Sequence, residues 1–365
     1  MMKTLFVFNH PAPYKVHVFN ELHKLPDIQV IFVREKAKDR PNSFYSANKY
    51  EFPAISFNSC YFSNENTWTG KVKKYIKKHH SEYDVIVMNG YSTIAEMRAI
   101  RYLIKRHIKY VLQINGGVIK KENNLKKKIK TYFISHAYKY FSPCLEADKY
   151  LEYYGARKEN ILHYPYGNFF DNEIINKPVD NKTKEELRKK WSLPSGKIFV
   201  NASQFIERKN NIQLIEIFKH RKENLLLIGS GKEKEEYENI IKKNNLANIK
   251  IIDFLKREDL FEVLKACDYF ITLSFQDIFG HTTVEAMANG LPVISSDKVI
   301  SSLDLIKNGK NGYIVNLDNE KGIESAIDNI DKCSSEEAIK TAKEHTIEKT
   351  AEVLAKLLKE VMLWK

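Results

Sequence analysis

Short apolar runs alternate with helix-period segments along most of this chain. In the first half, residues 4–8 (TLFVF), 28–33 (IQVIFV), 84–88 (DVIVM) and 109–114 (KYVLQI) are short and rich in β-branched side chains, which predicts buried strands. Between them, 14–25, 68–80 and 93–106 carry apolar positions at helical spacing. In the first of these, Tyr14, Val18, Leu22 and Leu25 fall on one stripe. Strands alternating with helices predict a parallel sheet covered on both faces. The alternation weakens at 168–196, which holds Pro178, Asn181, Pro194, Gly196 and a short helical segment, and reads as a linker. It restarts with 197–202, 225–228, 248–252, 269–273, 292–295 and 312–315, and from about Glu336 the chain is helical. The expected class is α/β, with two doubly wound domains, 1–170 and 171–345, and a C-terminal helix, 346–365, packing back towards the first. Such sheets bind ligands beyond the carboxyl ends of their strands, so a cleft faced by both domains is the expected place for chemistry.

Composition sharpens this picture. A chain of 365 residues with 43% hydrophobic content has enough apolar side chains for two cores. No apolar run approaches the roughly 18–20 residues that cross a bilayer. Residues 4–8 are too short for a signal-peptide core, so the expectation is a cytoplasmic protein. Cys60, Cys144, Cys267 and Cys333 are far apart in sequence, without metal-ligand spacing, and read as reduced thiols. The net charge of +13 is unevenly distributed: residues 1–170 hold 28 Lys and Arg against 14 Asp and Glu. That half therefore suits an anionic partner, with a Lys-rich compositional bias as the plain alternative. No helix-turn-helix, zinc or RNA-stacking motif accompanies it, so nucleic acid is not the expected partner.

The most informative segment is 269–295, YFITLSFQDIFGHTTVEAMANGLPVIS. A strand runs into a loop with Asp277 and Gly280, and a helix is expected over about 282–289. Thr282-Thr283-Val284-Glu285 has the form of a capping box, and Gly290 and Pro292 mark the stop. Backbone N–H groups at Gly280–Thr283 would face an anion, and Asp277 and Glu285 flank that end with acceptors suited to sugar hydroxyls. The plain alternative is that Glu285 caps the helix and Asp277 turns the loop.

Asp277, seven residues, then Glu285-Ala286-Met287-Ala288-Asn289-Gly290-Leu291-Pro292-Val293-Ile294 resembles the retaining glycosyltransferases of the GT-B fold, family 4 (glycosyl transferases group 1). The first acid is Asp where the family usually has Glu. Residues 201–209, NASQFIERK, resemble the family's phosphate-binding loop. Lys209 matches its Lys, Gln204 stands where Arg is usual, with Arg208 nearby, and Asn210 stands where Gly is common. LLLIGSG (225–231) and NGKNGYIV (308–315) match two further turns, and the likeness is strong over about 197–316. Over the first half it rests on architecture, on Pro11-Ala12-Pro13-Tyr14 and on Tyr164-Pro165-Tyr166-Gly167.

The resemblance implies a GT-B enzyme of two Rossmann-like domains, the second holding a nucleotide-sugar and the first an acceptor. Arg208, Lys209 and the helix N-terminus would neutralise the leaving diphosphate, so no metal or cofactor is expected. Asp277 would hold the donor sugar and Glu285 the ribose. Phe279, Gly280, His281 and Thr282 would complete the site, although His281 reads equally as a surface histidine. Phe254 and Leu255 lie where the base is held, or are core. Pro13, Tyr14, Asn115, Gly116 and Gly117 would form the acceptor side. Asn115-Gly116-Gly117 stands where many members carry a His, and reads otherwise as a plain turn. Lys71, Lys73, Lys74, Lys77 and Lys78 form one basic cluster, and Lys120, Lys121, Lys126, Lys127, Lys128 and Lys130 another. In the second, Leu125, Ile129, Tyr132 and Phe133 make an amphipathic segment suited to an anionic membrane surface, or an ordinary core-facing helix. The reading is a hexosyltransferase on the inner face of the plasma membrane, moving a sugar from a nucleotide donor, UDP favoured, to a lipid-linked or growing bacterial surface glycan. A nucleotide-sugar 2-epimerase on the same fold, or a non-enzymatic binder of anionic ligands or nucleic acid, are the alternatives.

Overall fold

The computed structural model describes residues 2–37, 45, 49–58, 60–61 and 67–363. They form two compact units, Met1–Phe170 with His345–Lys365 (unit 1) and Asp171–Glu344 (unit 2).

The main sheet of unit 1 has seven strands among the described residues: β1 (Lys3–Phe8), β2 (Asp27–Phe32), β3 (Ala54–Ser56), β4 (Val85–Asn89), β5 (Val111–Gln113), β6 (Lys139–Ser142) and β7 (Ile161–His163). They pair in the order β3-β2-β1-β4-β5-β6-β7, all parallel. Helices α1 (Pro13–His23), α2 (Lys71–His79), α3 (Ile94–Lys105), α4 (Asn124–Ser135) and α5 (Leu145–Tyr153) make the crossovers. The middle strands are buried on both faces, which is why they read as continuous apolar runs. Three strands are not legible in the apolar pattern: β3 is an edge strand with exposed ends, β6 begins on a buried lysine, and β7 is three residues long.

The terminal helix, Ile347–Met362, belongs to unit 1 and packs on α1. Its inner face is Ile347, Ala351, Leu354, Ala355, Leu358 and Val361, an i, i+4, i+7 stripe. The turn at Tyr164–Gly167 anchors its start. Gly167 N–H donates to Thr350 Oγ1 at 2.9 Å, and Ile347 N–H donates to the Phe169 carbonyl at 2.8 Å.

Unit 2 carries six strands: β8 (Ile198–Ala202), β9 (Asn224–Ile228), β10 (Ile249–Ile252), β11 (Tyr269–Thr272), β12 (Val293–Ser296) and β13 (Gly312–Val315). Their order is β10-β9-β8-β11-β12-β13, again all parallel. Helices α6 (Asn181–Lys190), α7 (Asn211–Phe218), α8 (Lys234–Lys243), α9 (Arg257–Ala266) and α10 (His281–Ala288) lie in this unit. One core cluster runs from Phe199, Phe205 and Phe218 through Leu227, Ile271 and Ile294 to Ile327. The segment read as a linker contains α6, a docked element of unit 2. Lys184 and Arg188 pair with Asp268 at 2.8 Å each, and Asp268 also accepts from Ile198 N–H at 2.9 Å. Polar anchoring of this kind leaves no apolar stripe in the sequence to reveal it.

In both sheets the order reverses beside the first strand of the unit, between β1 and β4 and between β8 and β11. Ligands of doubly wound sheets bind at the carboxyl ends of the strands flanking such a reversal. Cys144, Cys267 and Cys333 are free thiols, and the side chain of Cys60 lies outside the described residues, as do residues 364–365 of the expected terminal helix.

Candidate functional site

In unit 2, two loops at the carboxyl edge are knitted together. The loop after β8 ends in a short turn, Glu207–Lys209, followed by Asn210 in the left-handed region at φ 54. Asparagine tolerates that conformation better than other non-glycine residues, which accounts for Asn210 where glycine is common. Its side-chain amide donates to the Leu273 carbonyl at 2.9 Å and to Gln213 Oε1 at 2.6 Å. The loop after β11 answers: Phe275 N–H donates to the Arg208 carbonyl at 2.9 Å, and Arg208 Nη1 donates to the Gln276 carbonyl at 2.6 Å.

These contacts bring Arg208, Lys209 and Asp277 together. Lys209 Nζ donates to Asp277 Oδ2, and Arg208 Nη1 lies 3.9 Å from Asp277 Oδ1. Burial pushes the Asp277 carboxyl up, but Lys209, through charge and hydrogen bond, then Arg208 and His281, outweigh it and hold the group below its ordinary value. Asp277 is also fixed through its backbone, donating to the Lys298 carbonyl at 3.0 Å and accepting from Ile300 N–H at 3.1 Å. An ionised acceptor is thus pinned between two cations.

Helix α10 starts one residue earlier than expected, and the capping box does not form. Gly280 is the N-cap, at φ 76, with no side-chain cap bond. A Cβ there would lie 2.6 Å from Val299 Cγ1, so the position needs glycine twice over. Freed from capping, Glu285 is 8% exposed and meets Arg257 Nη1 at 3.3 Å, while Arg257 Nε donates to Glu173 at 2.6 Å. Phe279 is buried with its ring against His281, centroids 4.9 Å apart, so it supports the loop from inside instead of lining an open surface. His281 and Thr282 are half-buried in the first turn, where backbone N–H groups have no intrahelical acceptor. Phe254, just after β10, is 74% exposed, and Leu255 is half-buried. An exposed phenylalanine at a strand's carboxyl end is not core.

Opposite acids and cations, an open helix N-terminus and an exposed aromatic thus converge on one edge of one sheet. The family description "Glycosyl transferases group 1" matches residues 183–352. The chain carries a glycosyl transferases group 1 domain. An uncharacterized glycosyltransferase of Methanocaldococcus jannaschii is 29% identical over 148 residues, 40% of this chain and 41% of that relative. The O-antigen biosynthesis glycosyltransferase WclY of Escherichia coli is 24% identical over 267 residues, 69% of this chain and 73% of its own length. The structure of Anabaena HepE in complex with UDP superposes with a TM-score of 0.76 at 17% identity, covering 98% of this chain and 100% of that one. Two Rossmann-like units with parallel sheets are the GT-B architecture, and these neighbours share it.

The group 1 domain accounts for unit 2. Unit 1 has its own polar cluster at the β1/β4 reversal, and two of its residues were not anticipated. Pro13 and Tyr14 open α1, and the next residue, Lys15, is buried. Its Nζ donates to Asn115 Oδ1 at 3.1 Å. Asn89, the last residue of β4, shares amide contacts with Asn115. Tyr166 Oη donates to Tyr14 Oη at 3.3 Å, and the Tyr166 ring lies 4.0 Å below Lys15 Nζ. Gly116 and Gly117 continue the loop, with Gly117 lying flat on the Tyr150 ring, where a Cβ would come within 2.4 Å. Lys15 and Asn89 are separated from Asn115 by 100 and 26 residues, and no local motif points to either.

Helix α4 splits its apolar residues. Phe133 is buried and stacks on Tyr91, with centroids 5.9 Å apart, whereas Leu125 and Ile129 are 67% and 41% exposed among the lysines. Tyr132 is half-buried. No helix among the described residues is long and apolar enough to cross a membrane.

Proposed function

We propose that this chain is a retaining hexosyltransferase, using a nucleotide-sugar donor and no metal or cofactor, that extends a lipid-linked or growing surface glycan. The Arg208–Lys209–Asp277 cluster beside the start of α10 carries this reading. On sugar transfer, negative charge develops on the departing diphosphate. Lys209 and Arg208, with the first-turn N–H groups of α10, would accept that charge. Lys209 would then exchange its Asp277 contact for a phosphate, and Asp277 would be released to accept a hydrogen bond from a donor-sugar hydroxyl. Glu285, already held by Arg257, is an acceptor for the ribose hydroxyls, and Phe254 offers a face for the base. HepE was crystallised with UDP, which favours a uridine donor here. The O-antigen relative favours a bacterial surface glycan as the product.

In unit 1, Tyr14, Asn115, Gly116 and Gly117, with Pro13 starting α1, would receive the acceptor: tyrosine rings and amides suit a sugar. The exposed Leu125 and Ile129, set among Lys126, Lys127 and Lys128, favour peripheral attachment to the anionic inner face of the plasma membrane.

Calorimetry of UDP-, GDP-, ADP- and TDP-sugars without metal tests the donor site, with Lys209→Ala and Glu285→Ala alongside. Binding of one donor, weakened in both variants, supports the reading; no binding to any donor overturns it. Anomeric analysis of the product decides retention. Co-sedimentation with anionic vesicles at low salt tests attachment, and protein left wholly in the supernatant removes the membrane role.

A further inference from the structure

The cluster at the carboxyl edge of the first sheet is rich in donors and poor in acceptors. Lys15 is 5% exposed, and among the described residues Asn115 Oδ1 is the one oxygen its Nζ meets within hydrogen-bond distance. Around it stand the rings of Tyr166, Phe8 and Tyr14, at 4.0, 5.2 and 5.6 Å. Among the described residues no carboxylate pairs with it. A buried ammonium without a counter-ion is costly, and lysines are almost never fully buried without a partner.

The neighbouring amides point the same way. Asn89 Nδ2 lies 3.4 Å from Asn115 Oδ1, and Asn115 Nδ2 lies 3.5 Å from Asn89 Oδ1. These contacts are at the long limit of a hydrogen bond, so both NH2 groups remain available to a stronger acceptor. Lys15 follows β1, Asn89 ends β4, and Asn115 follows β5, three adjacent strands at the point where the sheet order reverses. The surrounding segment, residues 1–170, carries twice as many basic as acidic side chains, which raises the local concentration of anions.

We propose that Lys15, Asn89 and Asn115 form an oxyanion-binding subsite of unit 1 that takes a phosphate or carboxylate group of the acceptor. Assigning the anion to the acceptor rests on the glycosyltransferase reading; anion binding itself does not. The incoming group supplies the missing counter-ion, and the three rings favour the ammonium once it is formed. Burial holds the Lys15 amine well below its ordinary value, and an anion bound beside it opposes that shift. The titratable groups facing Lys15 are Tyr14 from α1 and Tyr166 from the segment after β7. Burial pushes the Tyr166 hydroxyl well up, so it stays protonated. Phe8 of β1 and Asn115 after β5 do not titrate, and His10, in the turn after β1, bonds Tyr45.

The test uses the full chain carrying Lys209→Ala, which removes an anion contact of unit 2. Sulfate, a stand-in for phosphate, and acetate are titrated calorimetrically. The expected result is binding of one of them. Adding Lys15→Met should weaken it at least tenfold, while a thermal melt shows the fold retained. Asn115→Ser, which keeps the lysine, should weaken binding several-fold. Preference between the two anions decides between a phosphate-bearing and a carboxylate-bearing acceptor. Binding unchanged by Lys15→Met, or no binding of either anion, overturns the proposal. Failure of UDP-sugar binding in the otherwise unaltered chain would instead strike the donor reading alone.

Discussion

The two sheets have related architecture and opposite electrostatic designs at their carboxyl edges. In unit 2 every acid of the site is matched by a cation: Asp277 by Lys209 and Arg208, Glu285 by Arg257, which also holds Glu173. In unit 1 the central lysine, Lys15, is matched among the described residues by amide and aromatic groups only. On the proposed reading, the unit 2 edge has counter-ions in place that a ligand would exchange, and the unit 1 edge would be completed by its ligand. A switch point fixes where a ligand goes, while the side chains on the loops decide which charge it must bring.

The largest effect should come from breaking unit 2's edge through its backbone. A Cβ on Gly229 would sit 1.9 Å from the Ser203 carbonyl oxygen, inside the turn that supports the 203–209 loop. Gly229→Ala should cost about 4 kcal/mol or more, or prevent folding of unit 2, read by denaturant titration. Gly167→Ala makes the parallel test in unit 1, since its Cβ would meet Thr346 backbone at 2.3 Å and lift the start of the terminal helix.

Next in size is Lys209→Ala. Losing a charge-assisted contact to phosphate should weaken donor binding roughly 10- to 100-fold by calorimetry. Unchanged donor affinity would dissolve the contrast between a pre-organised and an incomplete edge.

Acid should soften the two units in order. Burial pushes His345, in unit 1, down to about 4, so the unfolded chain takes up this proton first as pH falls. The folded group lies below its unfolded value, so stability is lost from about pH 6.5 downward until about pH 4. That amounts to roughly 2 kcal/mol between pH 7 and pH 5. Asp277, in unit 2, is held below its ordinary value, so its contribution is present above the unfolded carboxylate range and is lost only as pH falls through the lowered value. Urea titrations from pH 7 to 3 should show this sequence, and His345→Gln should flatten the first step while leaving the second. The smallest effect belongs to α4: Leu125→Ser and Ile129→Ser should change stability by no more than about 0.5 kcal/mol, while reducing vesicle binding.

Legibility followed the length of chain over which each feature is written. The Asp277–Ile294 stretch holds two acids, a glycine and a strand within one continuous run, so the loop, helix and strand of unit 2 could be read there directly. The capping box failed because Gly280 takes the cap in the left-handed region and leaves Glu285 to Arg257, a partner 28 residues away. Arg257 itself looks like any residue at the start of an amphipathic helix. The docking of α6 within the segment read as a linker is not legible because Asp268 holds it by ion pairs, which leave no apolar period.

By itself the sequence determined the class of the protein: alternating buried strands and helices, two parallel sheets, and the contiguous motif of a group 1 domain. Periodicity and local spacing encode these, and neither needs the chain to be folded. Only the tertiary structure decided that Lys15, Asn89, Asn115 and Tyr166 meet. Those contacts join residues as much as 166 − 15 = 151 positions apart. A parallel sheet gathers the ends of distant strands onto one edge, and burial there, which no window of sequence records, turns an ordinary lysine into a charge that needs a partner.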